Sequence, residues 1–163
     1  MMAKVDTTNV IRLLRSAGIF VREHTYDPSA DDGEIVAKLI GTDPDATCKT
    51  LVTSFDGKKC YVFVLPVNRE LDLKKCAALV GEKSLSMLPQ KQLLPMTGYV
   101  HGGCSPVGLK KRFPIAFDEA VLSFPEITLS AGKRGRQVTV STEAIIKYCE
   151  AKTGSFSRPK GSD

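Results

Sequence analysis

The sequence predicts a single α+β domain with a mixed, mostly antiparallel sheet. Two β-rich runs, residues 47–55 and 58–65, flank Asp56-Gly57, the pattern of a type I′ hairpin. A second pair, 127–130 and 137–140, flanks AGKRGR at 131–136. Helical patterns are interspersed with these strands, and no internal repeat or long linker divides the 163 residues.

Taken in order, residues 7–17 read as a helix. Val10, Leu13, Leu14 and Ala17 recur at helical spacing, a residue among Asp6, Thr7 and Thr8 caps it, and Gly18 ends it. Residues 19–26 (IFVREHTY) are β-rich and stop at Asp27-Pro28. Asp31-Asp32-Gly33 leads into a helix over 34–40, closed by Gly41. The first hairpin follows and stops at Pro66. Asp72 starts a helix that places Leu73, Cys76, Ala77 and Val80 on one face before Gly81. Residues 84–89 are short and apolar, and 90–94 make a helical turn before Pro95. A short strand is expected at 98–100, another at 113–117, and a short helix at 118–124. After the second hairpin, Ser141 or Thr142 caps a last helix reaching about Lys152. The domain is therefore expected over residues 1–153, with 154–163 (GSFSRPKGSD) a polar, disordered tail.

With 42% hydrophobic and 25% charged residues, the composition is that of an ordinary soluble globular protein. The net charge of +5 favours a polyanionic partner such as nucleic acid. No run approaches the roughly 18 apolar residues of a membrane span, and MMAKVDTTNV has no hydrophobic signal core, so a cytoplasmic protein is expected. Cys48, Cys60, Cys76, Cys104 and Cys149 are odd in number and form no CxxC. With His24 and His101 the only histidines, no zinc spacing exists, and neither metal nor cofactor is expected.

Chemistry concentrates in residues 97–114, TGYVHGGCSPVGLKKRFP. Gly102 and Gly103 let backbone N–H groups approach an anion, and Lys110, Lys111 and Arg112 follow at once. The same stretch also reads as a tight turn with a solvated basic face. Lys49 opens an apolar strand beside Thr50, where an ammonium meets an anion, shifts its pKa or snorkels to water. Lys133, Arg134 and Arg136 sit among glycines in a second basic loop. Ser105 and Ser130 have no GxSxG context, which weakens a serine-hydrolase reading. Cys104, three residues after His101, keeps a cysteine-hydrolase reading open. No P-loop and no GxGxxG is present.

HTYDP, CKTLV, LPVNRELDLKKCA, TGYVHGGCSPVGLKKRFP and LSAGKRG occur in the order and at the intervals of the YbaK/EbsC family, which the chain resembles over residues 7–150. The resemblance implies a sheet curved into a partial barrel with flanking helices. It also implies deacylation of mischarged aminoacyl-tRNA, chiefly Cys-tRNA(Pro), with mischarged tRNA(Pro) as substrate and prolyl-tRNA synthetase as a further expected partner. Carried over residue by residue, the essential lysine falls on Lys49 and the tyrosine of HTY on Tyr26. The loop glycines fall on Gly102 and Gly103, and the serine before GKRG on Ser130. Thr50, Ser105, Lys110, Lys111, Arg112, Lys133 and Arg134 join them as expected substrate contacts. The implied route is substrate-assisted, the thiol of the mischarged cysteine attacking its own ester. The chain departs from its relatives at Asp31-Asp32-Gly33, where they carry an aromatic residue, and at Gln137, where they often carry an acid. A non-catalytic module that binds aminoacyl-tRNA or the synthetase is the alternative.

Overall fold

Side-chain oxygens open four of the five α-helices among the described residues, and each helix is short enough to need the help. The computed structural model describes residues 7–161. Thr8 caps α1 (Asn9–Ser16), Asp32 caps α2 (Gly33–Ile40), Asp72 caps α3 (Leu73–Val80) and Ser141 caps α5 (Thr142–Tyr148). The exception, α4 (Gln90–Thr97), has no side-chain cap and runs through Pro95, past the expected stop. Its last turn is held instead by the Thr97 hydroxyl, which donates to the Leu93 carbonyl at 2.6 Å, and by Gly98 at φ 84°.

The strands are β1 (Arg22–Thr25), β2 (Cys48–Phe55), β3 (Lys59–Pro66), β4 (Arg69–Leu71), β5 (Ser86–Met87), β6 (Ile115–Asp118), β7 (Glu126–Lys133), β8 (Arg136–Ser141), β9 (Lys152–Gly154) and β10 (Ser157–Pro159). One sheet has the order β5-β2-β3-β6-β9, a second β1-β8-β7, and β10 pairs with β4. The β2–β3 hairpin turns at Asp56 and Gly57, both at positive φ, as a type I′ turn requires. β6 lies parallel to β3 and β9 parallel to β6, so the larger sheet is mixed. A parallel bridge from Thr47 to Thr128 joins the two larger sheets into an open, curved surface, not a closed barrel.

Residues 98–100 are not a strand. The Tyr99 N–H donates to the Thr97 hydroxyl at 3.0 Å and the Gly103 N–H to the Val100 carbonyl at 3.0 Å, which curls the segment into a turn. The last helix stops at Tyr148, and Lys152 begins β9 instead. The expected disordered tail is ordered through residue 161. Asp118, itself buried, explains why: one carboxylate oxygen accepts the N–H groups of Phe156 and Ser157 at 3.2 and 3.1 Å. Phe156 is then completely buried and meets the Phe63 ring edge-on at 4.9 Å.

Three apolar clusters form the core. Val10, Ile11 and Leu14 of α1 and Ile145 of α5 pack on Ile127, Leu129, Val138 and Val140 of β7 and β8. Phe63, Leu65, Cys76 and Phe156 form the second cluster, and Val52, Val62, Leu88 and Cys104 the third. Among the described residues no helix is long and apolar enough to cross a membrane. Because Phe156 fills the centre of the second cluster, Phe156→Ala is expected to cost about 3–5 kcal/mol. Urea unfolding of the full chain measures this; a loss below about 1 kcal/mol would mean that the C-terminal segment only rests on the surface.

Candidate active site

β2 has only half a neighbour on its outer side. β5 pairs with it at Thr53 and Ser54, and the bridge to Thr128 lies at Thr47, so among the described residues no strand is paired to the edge along 49–51. A cavity of about 350 Å³ runs along this open edge. Its position explains why consecutive residues Lys49, Thr50, Leu51 and Val52 all line it although they alternate between the two faces of the strand. Val36, Val67, Leu88 and Leu93 make the apolar wall. Gly33 gives that wall its fit, since a Cβ there would meet the Val67 side chain at 2.6 Å.

Lys49 is half-buried at the rim, and burial lowers its ammonium pKa. Its backbone pairs with Leu65 of β3, and its ammonium makes no ion pair or hydrogen bond among the described residues. Thr50 Oγ1 and Gln137 Oε1 are buried without a protein partner, and both residues line the cavity. Such atoms await a ligand or water. Ser130 stands opposite Gln137 in the β7–β8 register, and its hydroxyl accepts the Gly132 N–H at 3.0 Å. Tyr26 also lines the cavity, at the end of β1, where its N–H donates to the Gly135 carbonyl at 3.0 Å.

The two glycine-basic loops meet. A Cβ on Gly103 would lie 3.1 Å from the Arg134 backbone nitrogen, and Gly102, at φ 85°, packs under the Arg134 side chain. Gly103 was expected as a backbone donor, but its N–H is spent on Val100. It is a spacer that lets the loops close. The N–H groups of Gly102 and Cys104 have no backbone or side-chain acceptor among the described residues, and both residues line the cavity.

Several expected contacts lie elsewhere. Ser105 is fully buried outside the cavity, its hydroxyl accepting the Val107 N–H at 3.1 Å. Lys110, Lys111 and Arg112 line a separate depression, where Arg112 pairs with Glu150 at 2.9 Å. Arg136 turns away to Glu23, also at 2.9 Å. Lys133 is exposed at the hairpin tip beside Arg134. Cys104 lines the cavity, but its side chain packs with Val52, Val62 and Leu88, and burial pushes the thiol pKa up to about 12, so it remains a thiol at neutral pH.

The fold brings a half-buried lysine, two glycine-basic loops and two unpartnered side-chain oxygens around one cavity. Residues 27–148 match the model of the aminoacyl-tRNA editing domain, and the chain belongs to that family. It is 41% identical over 150 residues to an Enterococcus faecalis protein provisionally named Cys-tRNA(Pro)/Cys-tRNA(Cys) deacylase EbsC, covering 89% of this chain and 92% of that one. It is 36% identical over 89 residues to the proline–tRNA ligase of Thermosipho melanesiensis, 54% of this chain but 15% of that longer enzyme. A crystal structure described provisionally as a trans-editing enzyme for prolyl tRNA synthetase superposes with a TM-score of 0.82 over 96% of this chain and 99% of that one. At 22% identity, this likeness bears on the fold alone.

With burial pushing its thiol pKa up to about 12, Cys104 is almost wholly protonated at pH 8. Iodoacetamide should therefore label Cys104 at least about 100-fold more slowly in the folded chain than in urea. Peptide mapping by mass spectrometry reads this rate; labelling at the pace of a free thiol would return Cys104 to the list of nucleophiles.

Proposed function

We propose that the chain hydrolyses mischarged aminoacyl-tRNA in trans, with Cys-tRNA(Pro) as its substrate. The observation that carries this is the 41% identity to the deacylase EbsC along nearly the whole of both chains. The need is physical: a synthetase pocket built for proline discriminates against a side chain of similar or smaller size by only about 1–3 kcal/mol, so errors are removed at a second site.

The cavity is of a size for a cysteine ester, and its polar vacancies suit one. The substrate thiol, losing its proton, attacks the ester carbonyl. The new C–S bond forms as the C–O bond to the terminal ribose breaks, and the proton passes to the ribose oxygen. Water then opens the resulting thiolactone to free cysteine. Negative charge grows on the carbonyl oxygen during the attack, and the unpaired Gly102 and Cys104 N–H groups are the donors suited to it. Lys49 holds the terminal nucleotide at the rim, and Tyr26, Thr50, Ser130 and Gln137 orient the acyl group. Lys133 and Arg134 meet phosphates beside the glycine loop. Lys110 and Lys111 extend the positive surface from the far end of α4, Lys111 Nζ lying 3.9 Å from Met96 Sδ. This route gives the protein no covalent role, in keeping with the neutral Cys104 thiol. Prolyl-tRNA synthetase fits as a partner that presents the mischarged tRNA.

Lys49→Ala is expected to lower Cys-tRNA(Pro) deacylation by at least about 100-fold, the scale of losing one preorganised charge contact, with unchanged circular dichroism. Cys104→Ala should keep most of the activity, and wild-type protein should cleave Ser-tRNA far more slowly, a hydroxyl being a poorer nucleophile than a thiol. Turnover near the wild-type rate in folded Lys49→Ala, or an acyl-enzyme trapped on Cys104, would refute the scheme.

A further inference from the structure

The segment after α5 lies beyond residues 27–148, the span matched by the family model, and yet it reaches the rim of the cleft. β10 runs antiparallel to β4, with Arg158 beside Glu70 and Ser157 beside Leu71. Arg158 Nε donates to Glu70 Oε1 at 2.9 Å. Two residues on, Lys160 Nζ lies 3.0 Å from Glu34 Oε1, at the start of α2 and next to the cavity-lining Gly33.

Lys49 sits within electrostatic range of both glutamates. Glu34, Glu70 and Asp32 draw its ammonium toward the charged state, and Lys160 opposes them. Asp31, Tyr26 and His101 line the same cavity. None of these acids pairs with Lys49, and each of its three acidic neighbours is held by something else. Asp32 accepts the N–H groups of Glu34 and Ile35 at 2.9 and 3.2 Å as the cap of α2. Glu34 is held by Lys160 and Glu70 by Arg158. Two of the three restraints come from the C-terminal segment, Arg158 within β10 and Lys160 just past it.

We propose that Arg158 and Lys160 are positioning residues that hold Glu70 and Glu34 off Lys49, so that its ammonium remains free for the anionic end of the substrate. Exposed ion pairs of this kind contribute little to stability, so their effect lies in where the carboxylates sit. Without the two cations, a glutamate turns to Lys49 and competes with substrate for it. This inference rests on the Lys49 role proposed above.

The test compares three full-length proteins: wild type, Arg158→Gln/Lys160→Gln, and the same pair combined with Glu34→Gln/Glu70→Gln. The double variant is expected to lose about 3- to 5-fold in kcat/KM on Cys-tRNA(Pro), the size of a partly exposed ion pair competing with substrate. The quadruple variant should recover it, because no glutamate remains to capture Lys49. In parallel, the Lys49 ammonium 15N–1H signal, assigned through Lys49→Arg, should show slowed proton exchange in the double variant alone. A loss that the glutamine substitutions fail to restore, or identical Lys49 exchange in all three proteins, overturns the inference. A wild-type chain inert toward Cys-tRNA(Pro) would instead overturn the function proposed above, and the exchange measurement would still decide where the glutamates sit.

Discussion

Thr47 is the joint on which the cleft depends. Its hydroxyl donates to the Asp43 carbonyl and accepts from Thr42, both at 2.7 Å. Its carbonyl receives the Val67 N–H at 2.8 Å, and the residue bridges to Thr128 across the two sheets. At 1% exposure, a threonine with any of these bonds missing would leave a buried polar group unpaired. These bonds fix the start of β2, and the bridge to Thr128, with the bond from the Thr128 N–H to the Ala46 carbonyl at 2.9 Å, fixes it against β7. Lys49 and Thr50 of β2 then line the same cavity as Ser130 of β7 and Gln137 of β8.

The second constraint is steric. Gly103 lies against the backbone of Lys133 and Arg134, where any side chain would force the loops apart. One loop then sets Gly102 and Cys104 along the cavity while the Arg134 side chain packs over Gly102. A close approach of main chain to main chain brings the two glycine-basic loops together. That arrangement suits chemistry in which the substrate supplies the attacking group and the protein supplies only place and field.

Much of this was legible in the residues because local rules govern it. Asp56-Gly57 demanded its turn, Asp32 and Asp72 announced their helices, and the glycine-basic loops marked the side of the molecule that carries the site. Lys49 stood out as a charge among apolar neighbours. What escaped was decided by distant partners. β4, β9 and β10 are three-residue strands with no periodicity to read, and Phe156 sits in a polar stretch whose burial is visible only with Asp118 and Phe63 in place. Pro95 signalled a stop that Thr97 and Gly98 overrode. Ser105 and Gly103 looked like ligand groups because spacing cannot reveal that their hydrogen bonds are already used. Lys110, Lys111 and Arg112 sit close to the glycine loop in the chain, but in space they face another depression.

The topology also sets an order of events during folding. β6 lies between β3 and β9, and the second core cluster includes Phe156, so strands early in the chain close on residues far along it. Until β9 and Phe156 dock, Phe63 lacks its ring partner and the outer edge of β6 is bare, a state prone to mispairing. Docking of that segment, not pairing of the first hairpin, is then the step that closes the second core cluster. Most residues that line the cleft therefore precede in the chain the residue that seals the core.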